Sequence, residues 1–431
     1  MSSQSEQRIT EICEIIYSAA KQTRVLSHLG WNNSIRERFF DSRARELPVV
    51  KYPSFDAKPV LDKIATARGM MQGSEIDAWL ERQAAAVHDS AQMLLNCGTP
   101  AFFDYSHRLY GAPDDTLLDG SSTSLTLAED FDKNLAKLNG FDEQFLPVVK
   151  VSSEKMAASI ETAVEDMFAD DAPEVTVVDE LSANALAGSE RIRIRRDAQF
   201  NDKDIAQLIH HEAGIHVATS LNGKNQPQLP VLAASHAGTT RTQEGLAVFA
   251  EFITGSMDLD RLRRLADRIM AIKMASDGAD FIQVYNFFLE RTGSDIQAFE
   301  NTRRVFRGGV ISGGAPFTKD IVYLDGRVRV HNFLRTLVIS GRADCLLLLF
   351  CGKLDLEDIP VLSELTGLGL CQAPKFLPNW ASDMRFLLSY LAYSAFLNTI
   401  SLQKVSAHYH KVLLNAPPVE LGEWKTGIRV E

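Results

Sequence analysis

The segment LIHHEAGIHV, residues 208–217, limits what this chain can fold into more than any other stretch. It reads as part of a helix. Asn201 is a good N-cap, Asp204 falls at the third helical position near the positive helix end, and Phe200 and Ile205 occupy the staple positions around the cap. Ile205, Leu208 and Ile209 define an apolar stripe. Continued three or four residues at a time, the stripe runs into His211, Glu212 and His216. These polar groups are thereby aimed at the interior, where an unpaired charge is costly. A metal ion satisfies them most simply.

Counted from His211, the segment departs from His-Glu-x-x-His by one residue, because the closing histidine is His216. Positions five apart on a regular α-helix are rotated by about 140°, so two such histidines would not share an ion. A single π-bulge absorbs the extra residue and returns them to one side. Gly214, inside the motif, lowers the resistance to that distortion. The bland alternative is a coincidence of histidines on one helix.

A catalytic zinc site with two histidines needs a third protein ligand and an open position. RTQEGLAVFAEF (241–252), a second expected helix, offers Glu244. A glutamate near a helix start is also favoured by the macrodipole alone. Glu251, two turns along the same face, is placed to orient a ligand from behind. Leu246, Phe249 and Ile253 on the other face should be core, and His236 is a weaker rival for the third position.

With 431 residues the chain is long enough for two or three domains. Its net charge of −11 argues against non-specific binding to nucleic acid or to an anionic membrane. MSSQSEQRIT lacks the apolar core of a secretory signal, and CLLLLFC (345–351) is too short to span a bilayer and reads as core. Five cysteines without a Cys-x-x-Cys pair suit the reducing cytoplasm, the expected location. Residues 1–145 read as an N-terminal helical region, interrupted by the extended, proline-punctuated segment 47–59. Residues 146–340 read as the core, with short strands in PVVKVS (147–152), EVTVVDE (174–180) and RIRIRR (191–196), and a helix over 154–168. Residues 341–431 read as a helical extension packed on that core.

HEAGIH, QEGLAVFAEF, RVFRGG and FTKDIVYLDG (317–326), in this order, resemble the QEGLA-motif family of proteins of unknown function. Its eukaryotic branch includes the microtubule-associated tyrosine carboxypeptidases, zinc enzymes. The resemblance covers roughly residues 170–340. It implies that His211, His216 and Glu244 bind one Zn2+ per chain and that Glu212 is the catalytic glutamate. The sequence departs from the eukaryotic pattern in reading Ala-Gly-Ile between Glu212 and His216, without the usual threonine. The ligand set and helix order also resemble gluzincin peptidases.

The expected fold is therefore α+β and predominantly helical: a zincin-like metallopeptidase core with a small mixed sheet, plus the N-terminal helical region. The expected chemistry is metal-assisted hydrolysis with Glu212 as general base. Tyr323 or His236 would stabilise the oxyanion. RIRIRR fits an edge strand crossing the cleft, able to bind an extended peptide, although its charges serve equally against edge aggregation. Arg193, Arg304, Arg307 and Lys319 are cationic candidates for holding a terminal carboxylate, the last three beside a glycine-rich loop. The substrate would be a peptide or protein C-terminus, with no nucleic-acid or membrane partner. The rivals are a regulatory protein with a structural metal, a metal-dependent endopeptidase and an amidohydrolase. Natural substrate and oligomeric state are not legible.

Overall fold

The computed structural model describes residues 2–138, 149–181 and 183–414. The described residues are predominantly helical, with two small sheets. The N-terminal segment is helical as expected. Its longest helix, Glu75–Leu95, begins at Ser74 in a capping box with Asp77, which satisfies amides that a helix start leaves unpaired. Residues 47–57 carry no regular secondary structure.

The strands are β1 (Lys150–Val151), β2 (Glu174–Val178), β3 (Ala185–Ala187), β4 (Arg191–Arg195) and β5 (Phe200–Asn201). Residues 147–148 of the expected first strand lie outside the described residues. β1 pairs antiparallel with β5. The larger sheet is mixed, in the order β2-β4-β3: β2 runs parallel to β4, and β3 runs antiparallel to it. This corrects the expectation for RIRIRR. β4 is the central strand, and the edges are β2 and the short β3. Alternation in a sequence marks which face is buried (Ile192 and Ile194 here) but carries no information about neighbours on either side.

Ile192 and Ile194 pack in one cluster with Ile160 and Val164 of the helix Ser153–Phe168 and with Ala213 and Val217. Ile215 faces the other way, into the largest core cluster. The motif helix is thus gripped between the sheet and the central core. That central cluster draws on all three expected segments, from Ile9 through Leu246 and Phe249 to Leu362 and Leu391, and includes Leu346, Leu349 and Phe350 of the short apolar run.

One helix crossing is unusually close. The helix Ala237–Ile253 meets the helix Val322–Ile339 at Gly245 and Gly326. A Cβ on Gly326 would stand 2.2 Å from the Arg241 carbonyl oxygen, and one on Gly245 would stand 2.3 Å from the Gly326 backbone. Only hydrogen fits at both places. The approach brings Glu244, beside Gly245, to the end of the chain segment that carries Lys319 and Tyr323. Among the described residues, no helix is long and apolar enough to cross a membrane.

Candidate metal centre

The motif helix begins as the sequence predicts. Asn201 accepts hydrogen bonds from the amides of Lys203 and Asp204, and the Asp204 carboxylate accepts from the Asn201 amide at 2.8 Å. After Leu208 the helix widens: Ile209–Val217 is π-helical, and α-helix resumes over Ala218–Lys224. The widening spans the whole motif rather than the single bulge expected. It brings residues five apart onto one side, and the His211 and His216 rings stand 4.9 Å apart in an edge-on arrangement. Room for a side chain is not what calls for glycine there. A Cβ on Gly214 would meet its nearest neighbours at 3.7 and 3.9 Å, ordinary contact distances.

Glu244 comes from the neighbouring helix. His211, His216 and Glu244 present ligand atoms that all lie within 4.8 Å of one another, a group able to hold a metal ion. The Glu244 carboxylate is divided between two tasks. Oε1 accepts a hydrogen bond from Lys319 Nζ at 2.9 Å. Among the described residues, Oε2 is buried without a hydrogen bond and faces His211 Nε2 at 3.4 Å and His216 Nε2 at 3.5 Å. A buried carboxylate oxygen left in this way is costly. Two imidazole nitrogens and one carboxylate oxygen converging on a point are the donor set of a catalytic zinc site, so the residues present fit that ion.

Behind this group, His211 Nδ1 lies 2.6 Å from Glu251 Oε1, which leaves Nε2 for the shared point. Gln207 donates to the same Glu251 oxygen at 3.0 Å. Burial would lower the His211 pKa, but the carboxylates of Glu244 and Glu251 outweigh it and raise the value to about 10. Burial likewise opposes ionisation of Glu244, yet Lys319 and the two histidines hold its pKa well below the ordinary range. On the far side of His216, Lys353 donates to the His216 carbonyl at 3.0 Å and to Gln243 at 3.2 Å.

A cleft of about 200 Å³ opens beside this group. His211, Glu212 and Tyr323 line it, with Asn184 and Ala185 at the edge strand β3. Glu212 is thus at the cleft but outside the ligand group. The Tyr323 ring stacks on His211 at 6.5 Å, and its hydroxyl lies 3.5 Å from Arg304 Nη2.

The cationic candidates separate. Arg304 lines the cleft. Lys319 and Arg307 do not: Lys319 is buried against Glu244, and Arg307 is buried beside the Phe317 ring. Arg193 is exposed and also outside the lining. His236 lies outside the ligand group. Its Nδ1 accepts the Gly238 amide at 3.2 Å and caps the helix that carries Glu244, and burial lowers its pKa to about 4. Sequence reasoning missed four lining arginines: Arg195, Arg261, Arg264 and Arg268. The last three recur at helical spacing in RLRRLADR, a pattern that was available to find them.

No curated protein matches this chain. A crystal structure described as that of a lipoprotein from Colwellia psychrerythraea aligns at 14% identity with a TM-score of 0.39, covering 78% of this chain and 66% of that one. A family profile described as microtubule-associated tyrosine carboxypeptidase matches residues 37–399, most of the chain, which therefore belongs to the microtubule-associated tyrosine carboxypeptidase family.

Proposed function

We propose that this protein is a zinc-dependent carboxypeptidase that removes a residue from the free C-terminus of a peptide or protein, in a zincin-like core. The observation that carries the reading is the Glu244 Oε2 atom, buried, without a hydrogen bond among the described residues and facing two imidazole nitrogens beside a cleft. The family's carboxypeptidase activity supports the same conclusion.

His211, His216 and Glu244 would hold one Zn2+, and the chemistry that ion supplies is Lewis-acid activation of a water and of the scissile carbonyl. Lys319 fixes the Glu244 carboxylate so that a single oxygen faces the histidines. Glu251 fixes the His211 ring and its tautomer. Glu212, at the cleft and free of ligand duty, accepts the proton of the attacking water and returns it to the leaving amine. Tyr323, in the same lining, donates its hydroxyl to the developing oxyanion. The free edge of β3 offers backbone groups to an extended substrate. The five cysteines are free, which suits a cytoplasmic protein.

The test is incubation of zinc-loaded protein with a mixed peptide library, read by mass spectrometry, beside Glu212→Gln. Loss of single C-terminal residues with wild type and not with the variant is the expected result. Near-normal turnover by Glu212→Gln removes the mechanism. Cleavage at internal bonds makes the protein an endopeptidase instead.

A further inference from the structure

The helix Met384–Leu397 buries one face and leaves the other bare. Leu387 and Leu391 enter the central core cluster, and Tyr390 packs against it. Phe386, Tyr393 and Phe396 recur at helical spacing on the opposite side and are 64, 60 and 56% exposed. In the next helix, Leu402–Leu414, every described side chain is exposed. Helical spacing gathers Leu402, Val405, Tyr409, Val412 and Leu413 into one stripe, with Lys411 on the far side. A helix of this length is marginal in water when nothing packs on it, because its few hydrogen bonds barely offset the cost of nucleation. Single exposed apolar side chains are ordinary, but a contiguous set marks a surface that something covers.

Charge selects the kind of cover. The chain has 56 acidic residues, yet neither helix contains one. The second helix carries two lysines and two histidines. The first carries Arg385, whose side chain is 90% exposed and reaches back to Asp383. Arg327 and Arg335 of the helix Val322–Ile339 add positive charge beside Tyr390. A second copy of the chain docking here would set like charges against each other. An anionic bilayer surface meets both needs, because its acyl boundary covers apolar and aromatic side chains while its headgroups attract the cations. The net charge of −11, which argues against such binding, is not the charge of this face, and salt screens the remainder of the chain beyond about 10 Å. We propose that the helices Met384–Leu397 and Leu402–Leu414 form a docking surface for an anionic lipid membrane, with the stripe from Leu402 to Leu413 lying at the headgroup boundary. Neither helix is long and apolar enough to cross a membrane, so the contact is peripheral. The inference is independent of the carboxypeptidase reading.

The experiment sediments the full chain with vesicles of phosphatidylcholine, alone or mixed with phosphatidylglycerol. Binding should be roughly ten- to a hundred-fold tighter to the mixed vesicles, the scale of a few cations at an anionic surface, and should weaken as salt is raised. Val412→Glu combined with Leu413→Glu should abolish it. Both positions are exposed, so the melting temperature of that variant should match wild type. Lys411→Glu should bring binding to the mixed vesicles toward the level of the neutral ones. Leu118→Glu, at a leucine 87% exposed outside these helices, should bind as wild type does. The inference is overturned if wild type ignores the mixed vesicles, binds both kinds equally, or binds as well with the paired glutamates in place. Light scattering without vesicles tests the rival occupant. A monomer supports the lipid assignment, whereas a dimer that the paired glutamates dissociate makes a second copy the occupant and overturns it. Binding to polyglutamate without binding to vesicles makes the partner an acidic protein and overturns it as well.

Discussion

Glu251 and Arg261 form a buried, two-bonded ion pair directly behind the His211 ring, with both hydrogen bonds at 2.9 Å. Arg261 and His211 together hold the Glu251 pKa at about 2 against the opposing effect of burial. The pair makes one carboxylate serve two ends. It accepts from His211 and compensates a guanidinium that would otherwise be buried alone.

Replacing Glu251 should therefore do two separable things. Glu251→Gln should weaken zinc binding about ten- to a hundred-fold, the usual effect of losing such a support. It should also cost about 3–5 kcal/mol of stability, because Arg261 is left unpaired. Adding Arg261→Met should restore much of the stability and none of the zinc affinity. Chelator competition and urea unfolding measure the two effects. Unchanged zinc affinity in Glu251→Gln would show that the ring does not need this partner.

Purified protein should contain about one zinc per chain, and Glu244→Ala should lose most of it, since two histidines are too few for a stable site. Elemental analysis after dialysis is the measurement. Full occupancy in Glu244→Ala would return the third position to an unidentified residue.

The Gly245–Gly326 crossing makes a steric prediction. Gly326→Ala should destabilise by about 1–3 kcal/mol, as overpacking does, and should lower zinc occupancy by displacing Glu244. Gly214→Ala, with open contacts around its Cβ, should be neutral or stabilising by up to about 1 kcal/mol. Thermal melts of the two variants decide it, and equal melting temperatures would contradict the close approach.

Asp267 gives a pH prediction away from the candidate metal centre. Burial, opposed by Arg291 at 3.3 Å and reinforced by Asp132, raises its pKa to about 6. An unfolded aspartate titrates near ~3.9. The folded state thus holds this proton more tightly. Its contribution to stability is complete below the unfolded value and is lost as pH rises through the folded one. Asp267→Asn should be flatter than wild type in urea stability between about pH 4 and 6. Parallel pH curves for the two proteins would refute the raised value.

What the sequence determined by itself was local chemistry. The cap at Asn201, the inward stripe through His211 and His216, and the Glu244–Glu251 spacing are all set within a few helical turns, where residue type and period suffice. The need for a widened helix followed from the five-residue spacing alone, although its length did not. The tertiary structure decided the rest, because it depends on partners distant along the chain. Whether RIRIRR is central or edge depends on β2 and β3. Whether Lys319 meets substrate or Glu244 depends on two glycines 81 positions apart letting their helices touch. How firmly an arginine is held depends on which carboxylate packing delivers to it: Arg304 makes two hydrogen bonds to Asp320, and Arg268, on another helix, meets the same carboxylate only at 3.6 Å. Charges are visible in a sequence, but their compensation is a property of packing.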